Sequence, residues 1–533
     1  MLRFPTSLPL TSGPPGHVSS FVTRPNTGGL KAGMPPFSSL RTRRHSFFSL
    51  LLLGLLSVTG CQVDRSHPGP PGTNMIPCVI DGQFQEWNQQ PPASPMAAMT
   101  NGRTLWIQFQ LATPPVSLQN LPEPWTLDIE YDDPSVADQR IIFSPAASGH
   151  GIGAVQIDQG GERPHSPYAI HFQFAPTIAA SRFELALRMP RSTSGTVVLQ
   201  PGRDTEPMVA TFELPSGPAP GAAPGSWPAD AAGDSLRIVS WNVLYGNLLH
   251  ERERAGRILA ALDPDVLLLQ ELEDQQDPGD VADMLNTFLG DEPLPWNVVA
   301  SPTGSGLRSM AAARGGVHLP EAGTITRLDD PQRFLRAALL GVPTKKHGTL
   351  IVASVHLRCC GGPGDDADLQ RMAEALTLGH AIDGIVNEME ARNRALHQSL
   401  GEPMPTGSGI GVAGMIIGGD LNLVGSGAPL TILSRDRAGF GDGSGPINLV
   451  VADPLHLDGS SNATWSDKEK SFTPGRLDYL LYSPSSLAST NAFILDTTRL
   501  APGDLDQRSL SPEDSPTVSD HAPLVLDVVL RNR

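Results

Sequence analysis

Asp265-Val266-Leu267-Leu268-Leu269, followed at once by Gln270-Glu271, is the stretch on which the fold turns. Its apolar residues run without alternation, so a strand here is covered on both faces, as in the centre of a layered α/β domain. A carboxylate stands at its end. Upstream, Leu236-Arg237-Ile238-Val239-Ser240 reads as a second strand ending in Trp241-Asn242, with a helical stretch from about Leu249 to Leu262 between the two. Strand, helix, strand is the signature of a crossover unit.

Reading further outward, the pattern repeats. Thr349 to Val355 ends in His356, and Met415 to Gly418 ends in Gly419-Asp420-Leu421-Asn422. Leu477 to Tyr482 carries Asp478, and Ser519-Asp520-His521 precedes a last strand from Pro523 to Val529. Taken singly, Asn242 is a turn cap and Asp420-Leu421-Asn422 an Asx turn. Taken together, strand after strand delivers a polar or charged group to one edge, where the groups converge in a cleft.

In this order, Ser240-Trp241-Asn242, Leu269-Gln270-Glu271, Val355-His356-Leu357, Gly419-Asp420-Leu421-Asn422, Arg476-Leu477-Asp478-Tyr479 and Ser519-Asp520-His521 resemble the endonuclease/exonuclease/phosphatase (DNase-I-like) superfamily. The resemblance spans residues 235–533 and implies a four-layer α/β sandwich of two mixed sheets. It also implies a divalent-metal-dependent phosphoesterase acting as phosphodiesterase, nuclease or phosphatase, with Mg²⁺ (or Mn²⁺ or Ca²⁺) as cofactor. A hard cation on oxygen ligands neutralises a phosphate ester and polarises it. The resemblance assigns Glu271 as the best metal ligand, with Asn242 beside it and Asp520 as a further ligand. Asp420 would position and deprotonate water. Asn422 would bond phosphate or water, and His521 would donate to a phosphoryl oxygen. Asp478 matches the carboxylate that orients this histidine, and His356 is a second phosphate contact or the acid for the leaving oxygen. Arg336, Arg358 and Arg371 are candidates to line the cleft, against the default of surface arginines. The segment 387–414 reads as an insertion that starts helical and ends in a Gly/Pro loop. Cys359-Cys360 admits a vicinal disulfide, a soft-metal contact or two inert thiols, the last being favoured.

The 533 residues suggest two or three domains, and a formal charge of −17 disfavours a broad non-specific nucleic-acid footprint. No run of Lys/Arg interleaved with aromatics is evident, which weakens a nuclease. The substrate stays open among nucleic acid, a phospholipid head group and a small phosphoester. Four cysteines in a chain this long make neither a zinc site nor a disulfide framework.

Before the catalytic half come several distinct textures. Residues 1–60 combine a Pro/Gly/Ser-rich extension with an export signal: Arg41, Arg43 and Arg44 precede an apolar run from Phe47 to Leu56. Met34 is a candidate start of normal signal length. Val58-Thr59-Gly60-Cys61 resembles the bacterial lipoprotein box, which implies a lipid anchor on Cys61 and a cell-envelope location. Residues 61–75 read as a tether. Over 76–214, short alternating strands (Thr104 to Leu111, Trp125 to Tyr131, Arg182 to Leu187) indicate an all-β sandwich. Its opening, Ile80-Asp81-Gly82 with Glu86-Trp87, is similar to family 9 carbohydrate-binding-like sandwiches. That similarity makes a glycan a candidate partner through Trp87 or Trp106, although a core role for these tryptophans is favoured. Residues 215–234 read as a linker. The alternative for the whole chain is a surface glycan-binding lipoprotein with an inactive phosphoesterase-like domain, a reading that would be marked by loss of Glu271, Asp420 or His521.

Overall fold

The computed structural model describes residues 78–85, 87, 95–145, 153–158, 165–214, 225–228, 235–290, 293–319, 322–344, 348–400, 411–435 and 448–531. The export signal, Cys61, the tether, Glu86 and most of the 215–234 linker lie outside the described residues. No helix among the described residues is long and apolar enough to cross a membrane.

The N-terminal module pairs two antiparallel sheets. One runs Met96–Thr100, Thr104–Gln110, Arg182–Arg188, Gln173–Ala175 in spatial order. The other runs Val155–Asp158, Gln139–Phe143, Trp125–Tyr131, Gly195–Gln200, Met208–Phe212. Strict alternation makes the core: Leu105, Ile107 and Phe109 from the first sheet meet Leu127, Ile129, Val197 and Leu199 from the second. Trp87 is buried at 1% exposure beside Cys78 and Phe84, with Trp106 packed against them, so Trp87 takes the core role that the sequence favours.

The C-terminal half has four layers. A seven-stranded mixed sheet has the order Trp296–Ala300, Leu307–Arg314, Val266–Glu273, Leu236–Asn242, Leu524–Leu530, Leu487–Ile494, Leu455–His456. A six-stranded sheet has the order Val317–His318, Ala337–Thr344, Gly348–His356, Val412–Asp420, Asp478–Tyr482, Val450–Val451. Unbroken apolar runs feed two cores at once. In the quoted strand, Leu267 and Leu269 face the helices Arg252–Leu262 and Pro278–Leu289, while Val266 and Leu268 face the other sheet. In the second sheet, Ile351, Ala353 and Val355 face the helix Asp366–Leu400, while Leu350 and Val352 look inward.

The helices form where their sequences allow. Ala255, Ile258, Leu259 and Leu262 recur on one buried face, and the helix stops at left-handed Asp263, followed by Pro264. An Asp277/Asp280 capping box with Pro278 at the first turn starts the next helix. The helix expected from Leu249 is broken at Glu251, giving Asn247–His250 and then Arg252–Leu262. The segment 387–414 starts helical as expected, its first half being the end of Asp366–Leu400, and Val412 already begins a strand; residues 401–410 lie outside the described residues. First and last strands are pinned by a buried bidentate pair, in which Arg237 Nε and Nη2 donate to Asp527 at 2.7 and 2.9 Å.

The composition of the linker suggests two independent modules, yet many hydrogen bonds join them. Ile80 N–H donates to Ser460 O (3.0 Å), and Asn462 Nδ2 to Asp81 O (3.0 Å). Ser117 Oγ donates to Val424 O (3.1 Å), Ala179 N–H to Gly425 O (2.8 Å) and Arg476 N–H to Thr177 Oγ1 (2.8 Å). Removing one side leaves these groups without their partners, at about 1–3 kcal/mol for each that stays buried. A chain beginning at residue 235 is therefore expected to lose about 3 kcal/mol or more in urea unfolding relative to the full chain. A midpoint and slope unchanged by the truncation would restore the picture of independent modules.

Candidate active site

The two sheets stack so that their strand ends meet. Strands Gly348–His356 and Val412–Asp420 pair in parallel with His356 opposite Asp420, and Asp478 lies opposite Asp420 on the antiparallel neighbour. From the facing sheet come Asn242 and Glu271, on strands that are themselves parallel neighbours. Glu271 sits in a bulge: the pairing to Leu307–Arg314 shifts between Leu269 and Leu272, and Glu271 has φ +60°. Asn422 has φ +51°. Two non-glycine residues in the left-handed region at one cleft cost about 1–3 kcal/mol each, a strain characteristic of functional sites.

Asp420 is the hub. Its Oδ2 accepts from Asn242 Nδ2 at 3.0 Å, and its Oδ1 accepts from the Asn422 N–H at 2.9 Å. His356 Nε2 lies 3.6 Å and His521 Nε2 3.9 Å from Oδ2. Burial, reinforced by the negative Asp478 and Glu271, pushes the Asp420 carboxyl up to about 8 despite the opposing pull of His521. His521 shows the opposite balance. Burial disfavours its charge, but Asp478 overcomes this: Nδ1 donates to Asp478 Oδ2 at 2.7 Å, and the imidazole is raised to about 10. The backbone holds the ring in place, with Trp241 Nε1 donating to His521 O (2.9 Å) and the His521 N–H to Ser519 Oγ (3.0 Å). His356 is driven well below the usual histidine range by burial, with Arg336 and His521 adding to it. One histidine is thus held charged and the other neutral.

Glu271, His356 and Asp420 each offer a ligand atom, all within 4.8 Å of one another, so the group could hold a metal ion. The donor set suits one: two carboxylates lie together, and the histidine between them is kept neutral. Asn242 lies directly behind Asp420. Asp520 lies outside this trio: one carboxylate oxygen accepts from Trp465 Nε1 at 2.8 Å, and the other is buried with no hydrogen-bond partner. Asn422 Nδ2 donates to Leu357 O at 3.1 Å, which turns that group away from the cleft. Glu271, Asp420, Asn422, Asp520 and His521 line a cleft of about 690 Å³, whose lining also includes Tyr245, Trp465, Lys468, Lys470 and Phe472.

A model of the endonuclease/exonuclease/phosphatase family matches residues 239–521. The chain belongs to this family. No curated protein matches the sequence. Among solved structures, similar folds include the human Nocturnin catalytic domain with bound sulfate (18% identity, 56% of this chain and 94% of that one, TM-score 0.32). ANGEL2, a 2′,3′-cyclic phosphatase, is comparable (17% identity, 55% and 95%, TM-score 0.34), as is humanized D. rerio TDP2 (16%, 56% and 99%, TM-score 0.31). The C-terminal half of this chain is a phosphoesterase domain of the endonuclease/exonuclease/phosphatase family.

Some sequence-level candidates fall elsewhere. Arg371 is fully buried, donating to the carbonyls of Arg358 and Cys360 and to Asp368, so it braces a turn and does not line the cleft. Arg358 is exposed, and Arg336 approaches His356 Nδ1 at 3.5 Å. Cys359 and Cys360 are free thiols 3.0 Å apart at the cleft wall. The hydrogen bond from Cys360 is the main influence that lowers the Cys359 thiol, to about 6. What the sequence reading missed is the wall from Trp465 to Phe472. Two aromatics and two lysines do interleave there, but Asp467 and Glu469 dilute the signal.

The Asp478–His521 pair sets a pH signature. A histidine raised to about 10 stays charged throughout the neutral range, so the stability it contributes is complete below its ordinary value of about 6.5 and is lost as pH rises through about 10. Asp478→Asn removes the main raising influence. Its rate should begin to fall at a pH well below the alkaline fall of the parent enzyme, which lies near 10. Once His521 is already Ala, Asp478→Asn should cost little more. Identical alkaline limbs in parent and Asp478→Asn profiles would dissolve the pair's catalytic role.

Proposed function

We propose that this protein is an exported, membrane-anchored hydrolase of phosphodiester bonds that works with a divalent cation, Mg²⁺ foremost, with Mn²⁺ or Ca²⁺ as substitutes. The observation that carries the reading is geometric: Glu271, His356 and Asp420 bring ligand atoms within 4.8 Å of one another at one cleft, beside a histidine paired with Asp478 at 2.7 Å. Glu271 would hold the cation, with Asn242 beside it and Asp520 as a further ligand, and the ligand atoms of His356 and Asp420 lie within 4.8 Å of the Glu271 carboxylate. Bound there, a divalent cation supplies positive charge to a phosphate ester that otherwise repels attack.

The protein's own groups account for the remaining chemistry. Asp420, steadied by Asn242 and the Asn422 N–H, takes the proton of the attacking water. His521, aimed by Asp478, donates to a phosphoryl oxygen as charge grows on it. Neutral His356 offers a further contact to the phosphate. Glu271, Asp420 and His521 are all present, which argues against an inactive glycan-binding lipoprotein. Attachment through Cys61 and a cell-envelope location rest on the Val58-Thr59-Gly60-Cys61 motif alone.

Glu271→Gln keeps the shape of the side chain and removes its charge, so it should lower turnover of bis-p-nitrophenyl phosphate by about a thousandfold or more while leaving the melting curve in place. Chelation should do the same to the parent enzyme, and added Mg²⁺ should reverse it. Undiminished turnover in both experiments would remove the metal from the mechanism. Cys61→Ser should shift the protein from the membrane pellet to the soluble fraction. Unchanged partitioning would exclude the lipid anchor.

A further inference from the structure

The catalytic residues occupy one part of a cleft of about 690 Å³, far more room than a phosphoryl group fills and in the range of sites for small organic ligands. One lining residue comes from outside the phosphoesterase domain. Gln119 belongs to the N-terminal sandwich and is 4% exposed. Its backbone is fixed on two sides: Gly153 N–H donates to its carbonyl at 2.6 Å, and its neighbours Ser117 and Asn120 close a turn (Asn120 N–H to Ser117 O, 3.0 Å). Ser117 Oγ in turn grips Val424 O at 3.1 Å, two residues after Asn422. Among the described residues no hydrogen bond is seen to its side-chain amide, and a methyl group placed on Gly475 would lie 3.7 Å from its Nε2. An amide on the cleft lining has donors and an acceptor to offer a bound ligand.

Beside Gln119 runs the segment Trp465–Phe472. The two rings sit 6.1 Å apart at 47°, and the Trp465 indole is locked by its bond to Asp520, the neighbour of His521. The sandwich holds this segment as well. Asp467 N–H donates to Tyr168 Oη (2.9 Å), and Val155 N–H donates to Ser471 O (2.9 Å). Aromatic faces bind planar rings, and a carboxamide reads a hydrogen-bonding edge with one donor and one acceptor face. Lys468 and Lys470 at the mouth are balanced by Asp467 and Glu469, and the chain carries a net charge of −17. That balance suits a ligand with one or two phosphates and does not suit a long polyanion.

We propose that Gln119, together with Trp465 and Phe472, forms a subsite next to the catalytic groups that takes the planar, hydrogen-bonding ring of a small nucleotide-like phosphodiester. The inference rests on the phosphodiesterase reading above and adds the substrate class. It makes the sandwich a wall of the substrate site and Gln119 a specificity residue.

The test uses the full chain with Mg²⁺ and two esters that share one leaving group, thymidine 5′-(p-nitrophenyl phosphate) and methyl p-nitrophenyl phosphate. The parent should favour the thymidine ester by about tenfold or more in kcat/KM. Gln119→Ala should remove about tenfold of that preference through KM, leaving the methyl ester within about twofold of parent. Phe472→Ala, at a half-buried position, should reduce the same preference while leaving the Gln119 amide in place. Equal rates for the two esters in the parent, or equal losses on both in the variants, would overturn the subsite. If neither ester is hydrolysed, the phosphodiesterase reading falls, and calorimetric titration of thymidine 5′-phosphate decides the subsite by itself. Binding that Gln119→Ala weakens about tenfold would sustain it, and no binding to the parent would overturn it.

Discussion

The active site depends on one register. In the six-stranded sheet His356, Asp420 and Asp478 stand side by side on three adjacent strands, and this places a neutral imidazole and two carboxylates in a single row. A shift of one residue in either pairing would turn alternate groups to the opposite face. The facing sheet is tied to this row by buried polar contacts at the strand ends. Gln270 Nε2 donates to Ser354 Oγ at 2.9 Å, and Ser354 Oγ donates to Leu269 O at 2.7 Å. These bonds cross between the layers one residue before Glu271 and two before His356. The spacing between Glu271 and the opposite row is therefore set by hydrogen bonds that water does not reach.

Charge then divides the row into tasks. Asp420 and Asp478 are neighbours across a strand pair, yet burial and company treat them differently. Asp478 spends its charge on His521, and Asp420, hemmed in by Glu271 and Asp478, holds its proton more tightly than an ordinary carboxyl. The bulge at Glu271 and the left-handed turn at Asn422 are the local distortions that let these side chains reach a common point. Gly419 beside Asp420 allows the same crowding: at φ +154° a methyl group there would lie 1.8 Å from the carbonyl oxygen of Val355.

Much of this was legible from the sequence for a physical reason. Central strands buried on both faces must be apolar throughout, so the polar residue that ends each run stands out, as at Leu269-Gln270-Glu271 and Val355-His356. The polar strand ends follow from that contrast, and the four-layer arrangement from the family resemblance they carry. The strand Leu307–Arg314 gives a weaker signal because alanine dominates its buried positions and packs a strand without announcing one. The bulge was invisible because Gln-Glu-Leu-Glu alternates as a regular strand would. Arg371 looked like a phosphate ligand because sequence cannot tell a guanidinium in a cleft from one that braces carbonyls in the interior. Gln119 was beyond reach altogether. Nothing near it in the chain suggests that it faces Gly475, more than three hundred residues away.

That separation along the chain has a consequence for biogenesis. The cleft is walled by Gln119 near one end of the described chain and by His521 near the other. A polypeptide made from its N-terminus folds its early domains first. The sandwich then stands as a finished surface before the loops around Val424 and Trp465 are synthesised, and it offers them hydrogen-bonding groups already in place. The histidine arrives only with the final strand. That strand also joins Leu236–Asn242 to Leu487–Ile494, so a chain clipped before it lacks both the histidine and the middle of the sheet that carries Asn242 and Glu271.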